Sequence, residues 1–234
     1  MPDFKLISPD DKHFDEIFPL LIGIGPTGNL LCYGTCFIAS PSMAITAKHV
    51  VEELLARDPQ LIKTGVANFL YWIVQIVWRG SDYEYVVWTI HTICTAPHTD
   101  IATIWLQPYD TNAVTYQKAN KWKGIAMTFD PPGIGETVRA FGIHDVTFDG
   151  SRVNHDGKFE HVAIQSKKSI ATGVVRQHFW ERRDSAMYNF PCFEVDAKFE
   201  SGMSGGLVIN EKSQICGIVS GSLHSLSQDE PHVS

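Results

Sequence analysis

The chain has 234 residues, 44% hydrophobic and 19% charged, with a formal net charge of −7. That supplies ample apolar material for a core and excludes an intrinsically disordered chain. With no basic block, the acidic balance argues against nucleic acid or an anionic membrane as the main partner.

Met1 to Lys12 alternates acidic and polar residues without an apolar stretch, so no secretory signal is read there. Gly23-Ile24-Gly25-Pro26-Thr27-Gly28 spells the dinucleotide pattern, but strand-like Leu30 to Phe37 follows it where a helix is needed, so a turn is expected. Short β-branched segments punctuated by Gly, Pro, Asn and Asp then dominate: Gly34–Ala39, Ala44–Thr46, Asn68–Trp78, Tyr83–Thr92, Ile101–Leu106, Thr137–Ile143, His161–Ser166, Ser169–Gln177, Phe190–Val195, Gly206–Ile209 and Ile215–Ser220. This spacing predicts an all-β sandwich or barrel. Only Val50 to Arg57 reads as a helix, with Val50, Val51, Leu54 and Leu55 on one face and Asp58-Pro59 stopping it. Asn68 to Trp78 is the longest apolar run; Gln75 interrupts it, and it falls far short of the ~20 residues that cross a membrane. Tyr116 to Gly133 reads as a linker between two nearly equal halves.

Five cysteines (Cys32, Cys36, Cys94, Cys192, Cys216) make an odd count without a compact framework, so free thiols and a reducing, cytoplasmic setting are expected. Cys32 and Cys36 lack a second Cys/His pair and are read as buried thiols. His144, His155 and His161 with Asp145, Asp149 and Asp156 match no zinc spacing and are read as a solvated loop. No metal and no cofactor are expected. The aromatic stretch Phe69 to Trp88 is read as core and rim of the first half.

Glu200-Ser201-Gly202-Met203-Ser204-Gly205-Gly206-Leu207-Val208 crowds glycines around a serine just before an apolar strand. Such a stretch can expose a nucleophile beside free backbone N–H groups, or it can be a glycine-rich hairpin turn. It also satisfies Gly-x-Ser-x-Gly, but only 30 residues follow Ser204 and a strand comes next, so the α/β-hydrolase order and context fail. The order His, Asp, Ser is met instead. His49 lies between apolar Ala44–Thr46 and the short helix, and Asp100 stands at the mouth of Ile101–Leu106. Either fragment alone is ordinary; the three in this order are much more specific.

On these residues the chain resembles the trypsin/chymotrypsin-like serine peptidases, and most of all the bacterial HtrA-type domains. Thr46-Ala47-Lys48-His49-Val50 is similar to the family's histidine motif and Asp100-Ile101-Ala102 to its Asp-Ile-Ala motif. Val195 to Gly206 resembles the HtrA stretch around the serine, Ser169 to Val175 the strand before it, and Gly217 to Gly221 the substrate-lining strand after it. The likeness runs from about Gly34 to Gly221 and implies two six-stranded antiparallel β-barrels, about 17–118 and 132–234, with the site in the cleft between them. It implies Ser204 as nucleophile, His49 as base and Asp100 as its orienter. Gly202 and Ser204 would supply the oxyanion N–H groups, and Ser220 and Gly221 would pair with an extended polypeptide substrate.

Departures from the family carry their own expectations. Val50 replaces the cysteine that follows the histidine in secreted trypsins, in keeping with a cytoplasmic chain. Met203 replaces the aspartate that binds a newly cut N-terminus in trypsin zymogens, so activation of that kind is not expected; control by a regulatory protein, ligand or additional domain is. Ser222 to Ser234 is polar and poorly patterned for the strand the family carries there, which favours a native chain that continues. Lys198 falls where trypsins hold a specificity aspartate, so it either pairs with an acidic P1 residue or points to solvent, and Phe199 would narrow the pocket toward small apolar residues. The expectation is a serine endopeptidase; the rival is a non-catalytic, protease-shaped module that holds a peptide in the same cleft.

Overall fold

The computed structural model describes residues 3–6, 20–24, 29–58, 70–78, 83–109, 113–115, 126–153, 159–161 and 163–221. Seven strands form the first sheet: β2 (Leu20–Ile24), β3 (Leu30–Thr35), β4 (Phe37–Ser40), β5 (Met43–Ala47), β6 (Tyr71–Trp78), β7 (Tyr83–Thr95) and β8 (Ile101–Pro108). Their hydrogen-bonded order is β3-β2-β6-β7-β8-β5-β4, and every pairing is antiparallel. The two ends of that path, β3 and β4, are consecutive in the chain and separated only by Cys36. The sheet therefore curls until its ends meet, and β3–β4 act as one bent strand of a six-stranded barrel.

The second sheet uses β1 (Asp3–Leu6), β9 (Thr137–Thr147), β12 (Gln165–Phe179), β13 (Cys192–Val195), β14 (Leu207–Ile209) and β15 (Ile215–Ile218). Its order is β1-β12-β9-β14-β15, with β13 also on β12. A separate hairpin joins β10 (Arg152–Val153) to β11 (Phe159–His161). The fold is mostly β, two curled antiparallel sheets with few helices.

Strand parity separates three apolar layers. On β6, Ile73 and Val77 point into the first barrel with Val86, Trp88, Ile104 and Leu106. Trp72, Val74 and Ile76 on its other face meet Phe141, Ile143, Leu207 and Ile215 of the second sheet. Burial on both faces explains why Trp72 to Val77 is apolar at neighbouring positions apart from Gln75. Val138 and Ala140 of β9 face inward, with Ala171, Val175, Val195 and Met203, to form the second core.

The helix α1 (Lys48–Arg57) begins two residues earlier than its apolar pattern suggests, and it buries Val50, Val51 and Leu54. Its N-cap, Ala47, offers no side-chain acceptor. Asp100 supplies it from outside: its backbone carbonyl accepts from Lys48 N at 3.0 Å and its carboxylate from His49 N at 2.9 Å. Two donors that a helix start leaves orphaned are thus satisfied by one residue of the β7–β8 turn.

Several sequence expectations are corrected. His161–Ser166 is not one strand: β11 ends at His161 and β12 begins at Gln165. His144 and Asp145 lie in β9, not in a solvated loop. The His144 ring is buried, with Nε2 2.7 Å from Ser169 Oγ, a polar pairing inside a sheet that spacing cannot reveal. Strands β1 and β2, which carry only four and five residues, were not foreseen. Residues 116–125 of the expected linker, His155, Asp156 and 222–234 lie outside the described residues. No helix among the described residues is long and apolar enough to cross a membrane.

All five cysteines are free. Burial pushes the Cys32 and Cys216 thiols up to about 12 and holds that of fully buried Cys36 well above its ordinary range. The thiolate is the reactive form. Iodoacetamide at pH 8 should therefore alkylate exposed Cys94 in the native protein and reach Cys36 only after denaturation, as read by peptide mass spectrometry. Equal rates at the two sites would contradict this packing.

Candidate active site

The glycine-rich loop 200–206, which carries Ser204, joins the second core to β14. Met203 is fully buried and anchors it. Within the loop Met203 N donates to Glu200 O (3.1 Å), Gly205 N to Val219 O (2.8 Å) and Gly206 N to Met203 O (2.9 Å). Among the described residues the N–H groups of Gly202 and Ser204 carry no hydrogen bond, which leaves two donors beside the Ser204 side chain. Such unpaired donors can receive a developing oxyanion.

Across the cleft His49, on the first turn of α1, directs Nδ1 at Asp100 Oδ2, 2.8 Å away. The carboxylate can only accept, so Nδ1 carries the proton and Nε2 keeps a lone pair. Asp100 is 7% exposed, while the His49 ring is 42% exposed and open to the cleft. The Asp100 carboxylate also receives the Ser220 hydroxyl at 2.5 Å, so three donors fix its orientation. That hydroxyl contact is a role that sequence reading, which assigned Ser220 only a backbone part, did not find.

His49, Asp100, Ser204, Ser220 and Gly221 line one cavity of about 480 Å³. Ser204 Oγ lies 3.5 Å from the Ser220 carbonyl oxygen, long for a hydroxyl donor, and makes no hydrogen bond to His49. Catalytic contacts are often loose in sites without substrate. Tyr188 stands over the segment that follows β15: a Cβ on Gly221 would fall 2.8 Å from its hydroxyl. It is held there by a turn in which Asp184 Oδ1 accepts the N–H groups of Ala186, Met187 and Tyr188. Those backbone donors, Tyr188 and Met187 foremost, hold the Asp184 carboxyl below its usual range.

A second, mostly apolar cavity of about 320 Å³ adjoins the first. Phe199, Val195, Phe193, Ile218 and Gly221 line it, so Phe199 sits where it can narrow a side-chain pocket. Lys198 lines neither cavity. It is half exposed with Nζ 2.7 Å from Glu200 Oε1, so the structure does not bring it to the cleft. Among the described residues no group of three His, Cys, Asp or Glu side chains could hold a metal ion.

No protein-family model matches the chain, and no curated protein matches it. Solved structures do. The chain is similar to the Rv3671c protease of M. tuberculosis in its active form, with 17% identity and a TM-score of 0.51, covering 100% of this chain and 84% of that one. It is similar also to an inactive serine-to-alanine form of that H37Rv protein (16%, TM-score 0.50, 99% and 89%). The third likeness is to the HtrA-type protease AlgW bound to a decapeptide, with 13% identity and a TM-score of 0.53, over 94% of this chain and 60% of that one. These likenesses show the fold: the chain has the trypsin-like two-barrel fold, which HtrA-type serine proteases share.

Proposed function

We propose that the chain is a serine endopeptidase that works through His49, Asp100 and Ser204. The observation that carries this reading is the Asp100–His49 pair, which faces a loop holding Ser204 and two unpaired N–H groups. Ser204 Oγ attacks the scissile carbonyl carbon while its proton passes to His49 Nε2. The new oxyanion accepts from the N–H groups of Gly202 and Ser204, and Asp100 balances the imidazolium. The C–N bond then breaks, His49 returns the proton to the leaving amine, and an ester remains on Ser204. Water gives a proton to His49, attacks the ester and releases the acid, and the proton returns to Ser204.

The substrate is an extended polypeptide that pairs with Ser220–Gly221, and Phe199 limits the side chain admitted to the apolar cavity. Five free thiols support an intracellular, reducing setting. Met203 in the zymogen-aspartate position supports control by a partner protein or a further domain.

A fluorophosphonate probe tests the reading: one equivalent should bind the purified, folded chain on Ser204 and none should bind Ser204→Ala. A folded chain that binds an extended peptide yet takes no label would overturn it. That outcome would favour the protease-shaped binding module, the reading to which the Ser204–Ser220 contact lends support.

A further inference from the structure

We infer that Thr35, the last residue of β3, is the positioning residue that presents the Ser204 N–H to the oxyanion, an inference that rests on the serine-peptidase reading. Thr35 belongs to the first barrel and is fully buried, yet it reaches β9 of the second sheet and the loop 200–206. Thr35 N donates to Ser204 O at 3.0 Å, and Thr35 Oγ1 donates to Gly202 O at 2.9 Å. The same hydroxyl accepts from Ile143 N of β9 at 3.0 Å, with the Ile143 carbonyl 3.2 Å away. The Thr35 carbonyl is itself held by Thr46 Oγ1, at 2.7 Å, three residues before His49.

The consequence follows from peptide geometry. A peptide unit is planar and trans, so its C=O and N–H point in opposite directions. Pinning Gly202 C=O to Thr35 fixes the unit whose N–H, on Met203, turns back to Glu200 O. Met203 C=O accepts from Gly206 N, which aims the Ser204 N–H the opposite way. Ser204 C=O is then caught by Thr35 N. One residue thus holds the carbonyls on both sides of the nucleophile's own amide, and the hydroxyl does so with its donor and acceptor capacity both in use. Thr46 couples this clamp to the segment that carries His49, so both halves of the chemistry are referenced to one backbone position.

Thr35→Val keeps the β-branched shape and removes only the hydroxyl; Thr35→Ser keeps the hydroxyl. Two readouts separate positioning from general stability. The second-order rate of fluorophosphonate labelling should fall about 10- to 100-fold in Thr35→Val, a fraction of the ~10²–10³ that losing an oxyanion donor costs. Thr35→Ser should restore it to within about threefold. Amide hydrogen exchange should quicken in 141–145 and 200–206 of Thr35→Val and stay unchanged in β6 and β7. Labelling of Thr35→Val at the wild-type rate overturns the proposal, as does a Thr35→Ser variant as slow as Thr35→Val. A uniform rise in exchange across both barrels also overturns it, because the hydroxyl would then only stabilise the fold. If the wild-type chain takes no label, the peptidase reading fails by itself, and segment-specific exchange alone decides whether Thr35 orders the loop.

Discussion

Asp100→Asn is expected to lower kcat by about 10⁴ with the fold retained, against about 10⁶ for Ser204→Ala or His49→Ala. The amide oxygen of asparagine can still accept from His49 N, so the start of α1 keeps its partner. The amide nitrogen then faces His49 Nδ1, where a donor meets a donor. The imidazole must move its proton to Nε2, and the lone pair that should receive the Ser204 proton is lost. Single-turnover hydrolysis of a peptide ester measures the loss, and thermal unfolding within a few degrees of wild type confirms the fold. A loss of tenfold or less would reduce Asp100 to a helix cap. Asp100→Ala should do more damage to the structure than Asp100→Asn, because it removes the side-chain acceptor of His49 N together with the contact to Ser220.

Gly205→Ala is expected to cost at least about 4 kcal/mol, a large share of the roughly 5–15 kcal/mol by which a domain of this kind is stable. Gly205 has φ +84°, where an L side chain is strained by about 1–2 kcal/mol. A Cβ there would also fall 2.1 Å from the Thr35 carbonyl oxygen and 2.2 Å from Thr46 Oγ1. Neither atom can retreat without breaking their mutual hydrogen bond or shifting Thr35, which is tied to the loop 200–206. Urea unfolding gives the stability and fluorophosphonate labelling the site. A variant with wild-type midpoint and labelling would show that the two sheets are not so closely pressed here.

How much of this was legible depended on distance along the chain. The helix face Val50, Val51, Leu54 and Leu55 and the strand segment Ile101–Leu106 are local patterns; the structure buries the first three and starts β8 at Ile101. The order His49, Asp100, Ser204 was visible because each residue sits at the mouth of an apolar element. Thr35 was not, because its partners lie 108 and 167 residues away and a threonine at a strand end carries no local signal. His144 was misread for the same reason: its partner Ser169 is 25 residues on, in the neighbouring strand. Lys198 was placed by position in a motif, and the motif says nothing about the Glu200 carboxylate that holds it outside the cleft. The Ser220 hydroxyl faces Asp100 across 120 residues, beyond the reach of any periodicity.

The bent strand at Cys36 has a consequence for when the proposed peptidase could become active. The first barrel closes on itself within its own strands, and it already carries His49, Asp100 and Thr35. The loop 200–206 that Thr35 holds, and the strand β9 behind it, come later in the chain. Pairings of such separation form slowly and late. A chain emerging from the ribosome thus holds a paired histidine and aspartate with nothing to activate. On the proposed reading it acquires a working serine only once the second sheet has formed, so that folding itself would guard against premature cleavage of neighbouring proteins.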